Sequence, residues 1–211
     1  QADKIVVSAR TNADEKLSLF VVDRDTPGIA IRDYRTIDGL RAAEITFTNA
    51  SVPESALLGV RDKAWPIVEQ VLDRGVAAVC AEAVGVMETL NAQTLEYIKT
   101  RQQFGQPIGR FQVLQHRAVD MMIHFEQSKS MAILAAMQAT NPDTRARQHA
   151  ISAAKAHIGR SGRLVAQSAI QMHGGMGVTD EMPASHYAKR LTMIDFMLGD
   201  AESHIDRMIA H

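Results

Sequence analysis

The first sixty residues alternate short β-branched runs with turn-forming residues, which is the pattern of antiparallel strands. Turn signals such as DRDTPG and TIDG separate the runs. In EITFT, Ile45 and Phe47 stand at alternate positions and are predicted to share one face. This part predicts an antiparallel meander that belongs to a larger sheet. The runs are Lys4–Ala9, Leu17–Val22, Ile29–Tyr34 and Ala43–Thr48.

After a connector at 49–62, the pattern becomes helical, and Pro66 suits a first helical turn. Apolar positions on one side of the first helix are Ile67, Val71, Val79, Val86, Leu90 and Leu95. Asp200 is placed to N-cap a short last helix. The predicted long helices run from about Trp65 to Arg101, Gln112 to Thr140, Asp143 to Met172 and Pro183 to Leu198.

Long helices with short connections predict an up-down bundle. The expected fold class is therefore α+β, with a short antiparallel β meander followed by an up-down four-helix bundle. We assign residues 1–60 to a partial β domain and residues 61–211 to a helical bundle domain. The chain opens QADKIVV without an initiator methionine, so we expect a fragment of a longer protein.

Composition excludes several classes of function. The formal net charge is −1 in 211 residues, which argues against nucleic-acid binding. A single cysteine, Cys80, excludes an internal disulfide framework and fits a cytoplasmic location. Its apolar neighbours favour a buried small side chain over a nucleophile. No apolar run is judged long enough to span a bilayer.

The break between the first two long helices, RQQFGQPIGRFQVLQHR at 101–117, carries more chemistry than a turn requires. The guanidinium of Arg101 suits a phosphate oxygen. Phe104 suits packing on an aromatic ring, and the amides of Gln103, Gln112 and Gln115 suit a heterocycle or a sugar. The alternative is an ordinary helix end followed by a tight loop.

A second stretch, QMHGGMG at 171–177, resembles a glycine-rich phosphate loop, but a helix ends there instead of beginning. A glycine helix stop is the simpler interpretation. Metal sites are not indicated, because the pair Asp120 and His124 stands alone and the Glu-x-x-His pairs of a di-iron bundle are missing from the sequence.

In this order, the stretches resemble the acyl-CoA dehydrogenase flavoprotein family. DTPGIAI at 25–31 and EITFTNASVPESALLG at 44–59 are similar to parts of its middle β domain and of the connector to its helices. RQQFGQPIGRFQVLQH resembles its RxxFGxPIxxFQxxQ motif, and QMHGGMGVTDEMP resembles its glycine segment. The resemblance covers essentially the whole chain.

The resemblance implies FAD bound across a dimer. Residues that it places near the adenosine-diphosphate part of a neighbour's FAD are Arg101, Gln103, Phe104, Phe111, Gln112, Gln171, Gly174 and Gly175. The implied reaction removes the α proton of an acyl-CoA thioester with a carboxylate and passes the β hydride to the flavin, giving a 2-enoyl-CoA. It also implies an electron-transfer flavoprotein-like acceptor and a homodimer or tetramer.

The carboxylate base departs from the family pattern. The family's usual position for the base falls at Leu198, and the position that some members use instead, on the first bundle helix, falls at Gly75; neither residue can take a proton. Glu82 follows Gly75 by seven residues, on about the same helix face, and its apolar neighbours would raise its pKa. The alternative is a glutamate paired with Arg74 or with an arginine on another helix. Asp195 and Asp200 are weaker candidates.

Three functions remain open. The parent protein is an active dehydrogenase with Glu82 as its base, or it is the FAD-cradling, base-less subunit of a heteromeric dehydrogenase. The subfamilies that act on steroid side-chain or dicarboxylic thioesters resemble this sequence, and their two subunits divide the parts of the active site. The third is a bundle used for assembly only. The family's N-terminal helices are absent, so we expect this chain alone to be inactive and to hold FAD weakly.

Overall fold

The computed structural model of the chain describes residues 2–10 and 16–210. Short antiparallel strands precede a set of long helices, which confirms the α+β class. The chain divides into two compact units, Gln1–Val71 and Leu72–His211. The domain boundary after residue 60 stays a prediction.

The strands form two small sheets instead of one meander. Tight turns after Asp23 redirect the chain, so β2 and β3 do not pair. A short fifth strand inside the predicted connector pairs antiparallel with β2 and completes a sheet in the order β1-β2-β5. β3 pairs antiparallel with β4. The strands are β1 (Lys4–Arg10), β2 (Leu17–Asp23), β3 (Ile29–Arg35), β4 (Arg41–Phe47) and β5 (Leu57–Leu58).

The helices match the sequence pattern to within a few residues. α3 packs against α2, α4 and α5. Its many small buried residues allow this close packing. The helices are α1 (Trp65–Thr100), α2 (Gln112–Gln138), α3 (Thr144–His173), α4 (Pro183–Phe196) and α5 (Ala201–Ile209).

Two aspartates cap helices. The side chain of Asp143 accepts hydrogen bonds from the backbone N–H groups of Arg145 and Ala146, at 3.0 and 3.2 Å, at the start of α3. The side chain of Asp200 accepts from the N–H of Ser203 at 2.9 Å at the start of α5. Hydrogen bonds from Ser203 lower the pKa of Asp200. The prediction of Asp200 as an N-cap is confirmed.

The apolar side of α1 was predicted only in part. Val79 and Leu90 are buried, whereas Ile67, Val71 and Leu95 are 50%, 61% and 44% exposed. Cys80 is fully buried, and burial raises its pKa to about 12, which confirms an unreactive packing role. By length and composition α1 is able to cross a membrane, so the expectation that no apolar run is long enough was wrong. Ten of its residues are buried in the protein.

Gly85 gives a test of helix propensity in α1. Gly85 is exposed, and a Cβ built on it has no heavy atom within 4 Å. We expect Gly85→Ala to raise the free energy of unfolding by about 0.5–1 kcal/mol, because alanine loses less backbone entropy in a helix. Urea unfolding of the complete protein measures this. The control is Gly159→Ala, whose Cβ would collide with Asp195 Oδ1; a gain in stability for both variants would contradict the interpretation.

Candidate functional site

A short hairpin that the sequence pattern did not predict follows α1. β6 (Gln102–Gln103) pairs antiparallel with β7 (Gln106–Pro107) and leaves Phe104 and Gly105 as a two-residue loop. Both loop residues are left-handed, with φ angles of +54° and +75°. Such loops match the twist of the strands and favour Asn, Asp or Gly at these positions. A phenylalanine in the first position is therefore unusual.

Phe104 is both strained and exposed. The residue is 88% exposed, and its ring meets that of Phe111 edge to face, with centroids 5.8 Å apart. A left-handed backbone costs a non-glycine residue about 1–2 kcal/mol, and an exposed ring forgoes the gain from burial. Strain of this kind clusters at ligand sites, so the backbone and exposure of Phe104 are compatible with a ring that packs on a ligand, and that role stays a prediction.

The segment after the hairpin is fixed against α1. A short 3₁₀ helix runs over Ile108–Arg110, and a Cβ on Gly109 would lie 2.8 Å from the backbone oxygen of Ile98. Glycine is needed for this close approach. The side-chain amide of Gln115 donates to the carbonyl of Gly109 at 2.9 Å. Gln115 therefore stabilises the loop, and its predicted contact with a heterocycle stays a prediction.

Arg101 lies where α1 meets the hairpin. Its N–H donates to Tyr97 O, and its carbonyl accepts from Ile108 N, both at 2.8 Å. The side chains of Lys99, Arg101 and Arg110 belong to exposed residues, and among residues 2–10 and 16–210 none of the three forms an ion pair. This positive charge suits phosphate oxygens. Gln103 and Gln112 are also exposed.

The glycine stretch ends α3. Gly174 has a φ of +60°, and its N–H bonds to the carbonyl of Gln171. A short 3₁₀ helix follows over Gly174–Val178. A Cβ on Gly174 or Gly175 would meet nothing within 4 Å, so both backbones face open space. The prediction of a glycine helix stop is confirmed, and Gln171 is exposed beside it.

Tyr97 and His173 bring the two stretches together. The Tyr97 hydroxyl donates to the backbone carbonyl of His173 at 3.3 Å, and the two rings lie 4.4 Å apart at 30°. Arg101 follows Tyr97 by one helical turn, and Gly174 follows His173 directly. The hairpin and the glycine stretch therefore lie at the same end of the bundle. Neither aromatic residue was predicted; the only sequence signal is a tyrosine one turn before the helix end.

The assembled surface fits a dinucleotide such as FAD. It offers exposed guanidinium groups for a pyrophosphate, an exposed ring for stacking and two glycines with open space above them. Because glycine has no side chain, its backbone is able to approach a phosphate closely. The exposed amides of Gln103, Gln112 and Gln171 supply donors and acceptors for the sugar or the base.

The two positions aligned with the base are neighbours in the structure. A Cβ on Gly75 would lie 2.9 Å from Cδ1 of Leu198. Leu198 has a φ of +59° and is 42% exposed. Gly75 belongs to α1, and Leu198 lies between α4 and α5. The leucine side chain therefore occupies the space in front of the glycine, and neither position carries a carboxylate.

Glu82 does not have the predicted apolar surroundings. Its side chain is 42% exposed and forms a bidentate ion pair with Arg190 of α4, at 2.6 Å to Nε and 2.8 Å to Nη2. The expectation of an apolar environment is wrong, because residue 82 lies on the outer side of α1. The alternative of a glutamate paired with an arginine on another helix is confirmed. Asp195 is 2% exposed and pairs with Arg163 at 2.6 Å.

Comparison with known proteins covers nearly the whole chain. Residues 62–211 match the family described as acyl-CoA dehydrogenase, C-terminal domain. The human mitochondrial short-chain specific acyl-CoA dehydrogenase (Homo sapiens) is 28% identical over 99% of this chain and 51% of its own length. A solved structure of PigA with FAD and proline superposes with a TM-score of 0.89 at 25% identity, covering 99% of this chain and 56% of that one.

A further solved structure is that of the Tcur3481-Tcur3483 steroid ACAD. It has a TM-score of 0.84 and 29% identity, and the match covers 99% of this chain and 55% of that one. The chain spans about half the length of the curated relatives that it matches.

Proposed function

Because the chain belongs to the acyl-CoA dehydrogenase family, we propose that it is the FAD-contacting C-terminal part of an enzyme that oxidises an acyl-CoA thioester to the 2-enoyl-CoA. The α proton goes to a carboxylate, and the β hydride leaves as the double bond forms. FAD supplies the hydride acceptor when it is bound. Family membership confirms the resemblance inferred from the sequence.

The role of this chain's residues is to hold the adenosine-diphosphate part of the cofactor. Arg101 supplies positive charge to the pyrophosphate, and the ring of Phe104 packs on the cofactor. Gly174 and Gly175 allow close approach of the backbone. The solved PigA relative with FAD supports this choice of cofactor. The sites themselves stay predictions.

The contact between Gly75 and Leu198 indicates where the base comes from. Both family positions for the base face the same space, and this chain places a glycine and a leucine there. We therefore favour a heteromeric enzyme in which a second subunit supplies the carboxylate. The steroid relative, which carries two protein names, supports this arrangement. This observation favours the heteromeric arrangement over an active single subunit.

Glu82 remains the second candidate for the base. Its spacing from Gly75 puts it on about the same helix face, two turns away. To act, its carboxylate would have to leave the bidentate pair with Arg190, which holds both oxygens. A base needs a carboxylate oxygen free to approach the α proton. The ion pair is the reason that we rank Glu82 second.

We expect the electrons to leave through an electron-transfer flavoprotein-like acceptor. The FAD site is completed by a neighbouring subunit, so the smallest active assembly is a dimer, either of this subunit or with a second dehydrogenase subunit. The family resemblance supports both expectations. A cytoplasmic location remains part of the proposal and rests on the single buried cysteine.

A visible absorption spectrum tests the proposal. The complete subunit is purified alone and with its co-expressed partner, and the spectrum is recorded before and after addition of a panel of acyl-CoA thioesters. We expect flavin absorption to bleach only when the partner is present. Bleaching of the subunit alone would contradict the heteromeric proposal, and a lack of bound flavin in both preparations would contradict the assignment of FAD.

Glu82→Gln separates the two candidates for the base. If a second subunit supplies the carboxylate, the variant should keep most of its turnover, because its position lies outside the reacting site. Loss of bleaching with retained flavin would instead make Glu82 the base. Glu96→Gln, an exposed change on the same helix, is the matched control, and stopped-flow bleaching rates are the measurement.

A further inference from the structure

The turn between α4 and α5 has an unusual backbone. Leu198 and Gly199 are both left-handed, with φ angles of +59° and +99°. For leucine this conformation costs about 1–2 kcal/mol. A side chain at position 199 would also lie close to His204, since a Cβ there would be 3.1 Å from His204 Nε2. Surrounding contacts must hold the turn in this shape.

A buried lysine holds one carbonyl at the end of α4 and one carbonyl of the turn. Lys155 of α3 is fully buried, and its Nζ donates to the carbonyls of Asp195 at 2.7 Å and Gly199 at 2.6 Å. Burial lowers the pKa of Lys155, and the negative charge of Asp195 opposes this effect. An amine is costly to remove from water, so the contact gives the turn a fixed position at an energetic cost.

A buried histidine holds a third carbonyl. His204 of α5 is 4% exposed. Its Nε2 lies 3.0 Å from the carbonyl of Leu198, and its Nδ1 lies 3.1 Å from the hydroxyl of Ser152. A carbonyl only accepts, so Nε2 carries the proton and Nδ1 accepts from the serine. Burial lowers the pKa of His204, which favours this neutral form.

Together these hydrogen bonds fix the backbone position of Leu198. The carbonyls of residues 195, 198 and 199 all point to buried donors, while the leucine side chain points to Gly75. A helix connection that needed only a chain reversal would be served by a glycine and surface contacts. Two buried polar side chains from α3 and α5 restrain this turn more tightly.

We propose that Lys155 and His204 are positioning residues for the acyl-CoA-facing side of the site. They hold the turn so that Leu198 stands against Gly75 and forms a fixed wall where the thioester lies. The inference rests on the proposed function, because it assigns the space between positions 75 and 198 to the substrate. Neither side chain touches the reacting atoms; both act through the backbone of the turn.

His204→Leu is the first test, made in the complete enzyme with its partner subunit. It removes the donor to Leu198 O and places an apolar side chain in the buried position. We expect kcat/KM for the acyl-CoA to fall about 10- to 100-fold, mostly through KM, because small displacements at a substrate site have effects of this size. Flavin content should stay near that of the wild type, since the FAD surface lies at the end of α3 beyond His173.

His204→Gln tests whether the hydrogen bond is the cause. Its amide nitrogen is able to donate to Leu198 O while its oxygen accepts from Ser152, so we expect most of kcat/KM to return. Ser152→Ala is the milder variant if His204→Leu does not fold; it removes only the hydroxyl that orients the ring and should lower kcat/KM by a smaller factor. Ile151→Val, a change of a buried core residue next to Ser152 on α3, is the control for lost stability.

The outcomes separate this inference from the proposed function. A wild-type enzyme that lacks flavin or is not bleached by any thioester would overturn the proposed function. An active wild type with unchanged kcat/KM in folded His204→Leu and Ser152→Ala would overturn the inference alone. An equal loss in Ile151→Val, or no recovery in His204→Gln, would also overturn it, because the loss would then follow stability and not the position of the turn.

Discussion

Replacing Asp73 by asparagine is expected to lower the free energy of unfolding by about 3–5 kcal/mol. Asp73 is fully buried, and its carboxylate meets Arg147 Nε and Arg207 Nη2, each at 2.8 Å. Arg147 is also buried, at 5% side-chain exposure, whereas Arg207 is 24% exposed. The triad connects α1, α3 and α5. Removing its one negative charge leaves a buried guanidinium without a counter-ion, and urea unfolding of the complete protein near neutral pH measures the cost.

The matched control for Asp73→Asn is Glu202→Gln. Glu202 pairs with Arg160 at 2.7 Å, but the two side chains are 72% and 60% exposed. Exposed pairs contribute about 0–1 kcal/mol, so this variant should unfold close to the wild type. Similar unfolding midpoints for both variants would show that Asp73 and its two arginines do not stabilise the bundle.

Helix ends were predictable because their signals are local. Asp143 and Asp200 cap through N–H groups two or three residues away, and Gly174 stops α3 through its own backbone. Each of these signals depends on only a few neighbouring residues in the sequence. The pairing of β5 with β2 was not predicted, because a strand of two residues is too short to show an alternation of apolar and polar positions.

The case of Glu82 shows that the neighbours of a residue in the sequence do not reliably indicate whether its side chain is buried. Its neighbours Cys80 and Ala83 are buried, yet Glu82 faces outward because successive helical residues point in different directions. Its partner, Arg190, lies 108 residues away. The contact of Tyr97 with His173 spans 76 residues. Contacts at such separations depend on how the helices pack, which no single stretch encodes.

The candidate cofactor residues were proposed from motif resemblance, and the structure shows the local backbone in which these residues lie. Phe104 holds its ring outward on a left-handed backbone, and Gly109 lets the following segment approach α1. Gln115 supports the loop through a hydrogen bond to Gly109, a contact that the sequence did not indicate; its predicted contact with a heterocycle stays a prediction. A motif identifies the surface but does not distinguish ligand contacts from supporting ones.

Replacing Arg101 by alanine in the complete enzyme is expected to weaken FAD binding about 10- to 100-fold. Hydrogen bonds to charged groups contribute about 1.5–3 kcal/mol, and the Arg101 side chain is exposed and outside every ion pair in the described part of the chain. Its loss should therefore leave the unfolding midpoint nearly unchanged. Titration of the apoenzyme with FAD, followed by flavin fluorescence, gives the dissociation constant.

Arg145→Ala is the control for loss of positive charge. Arg145 is exposed in the first turn of α3, roughly 45 Å along the helix from the glycine stretch at its other end. At moderate ionic strength, charges separated by far more than about 10 Å are screened, so FAD affinity should be unchanged. An equal weakening in both variants would mean that FAD responds to net charge alone. Unchanged affinity in Arg101→Ala would contradict the assignment of the hairpin to the cofactor site.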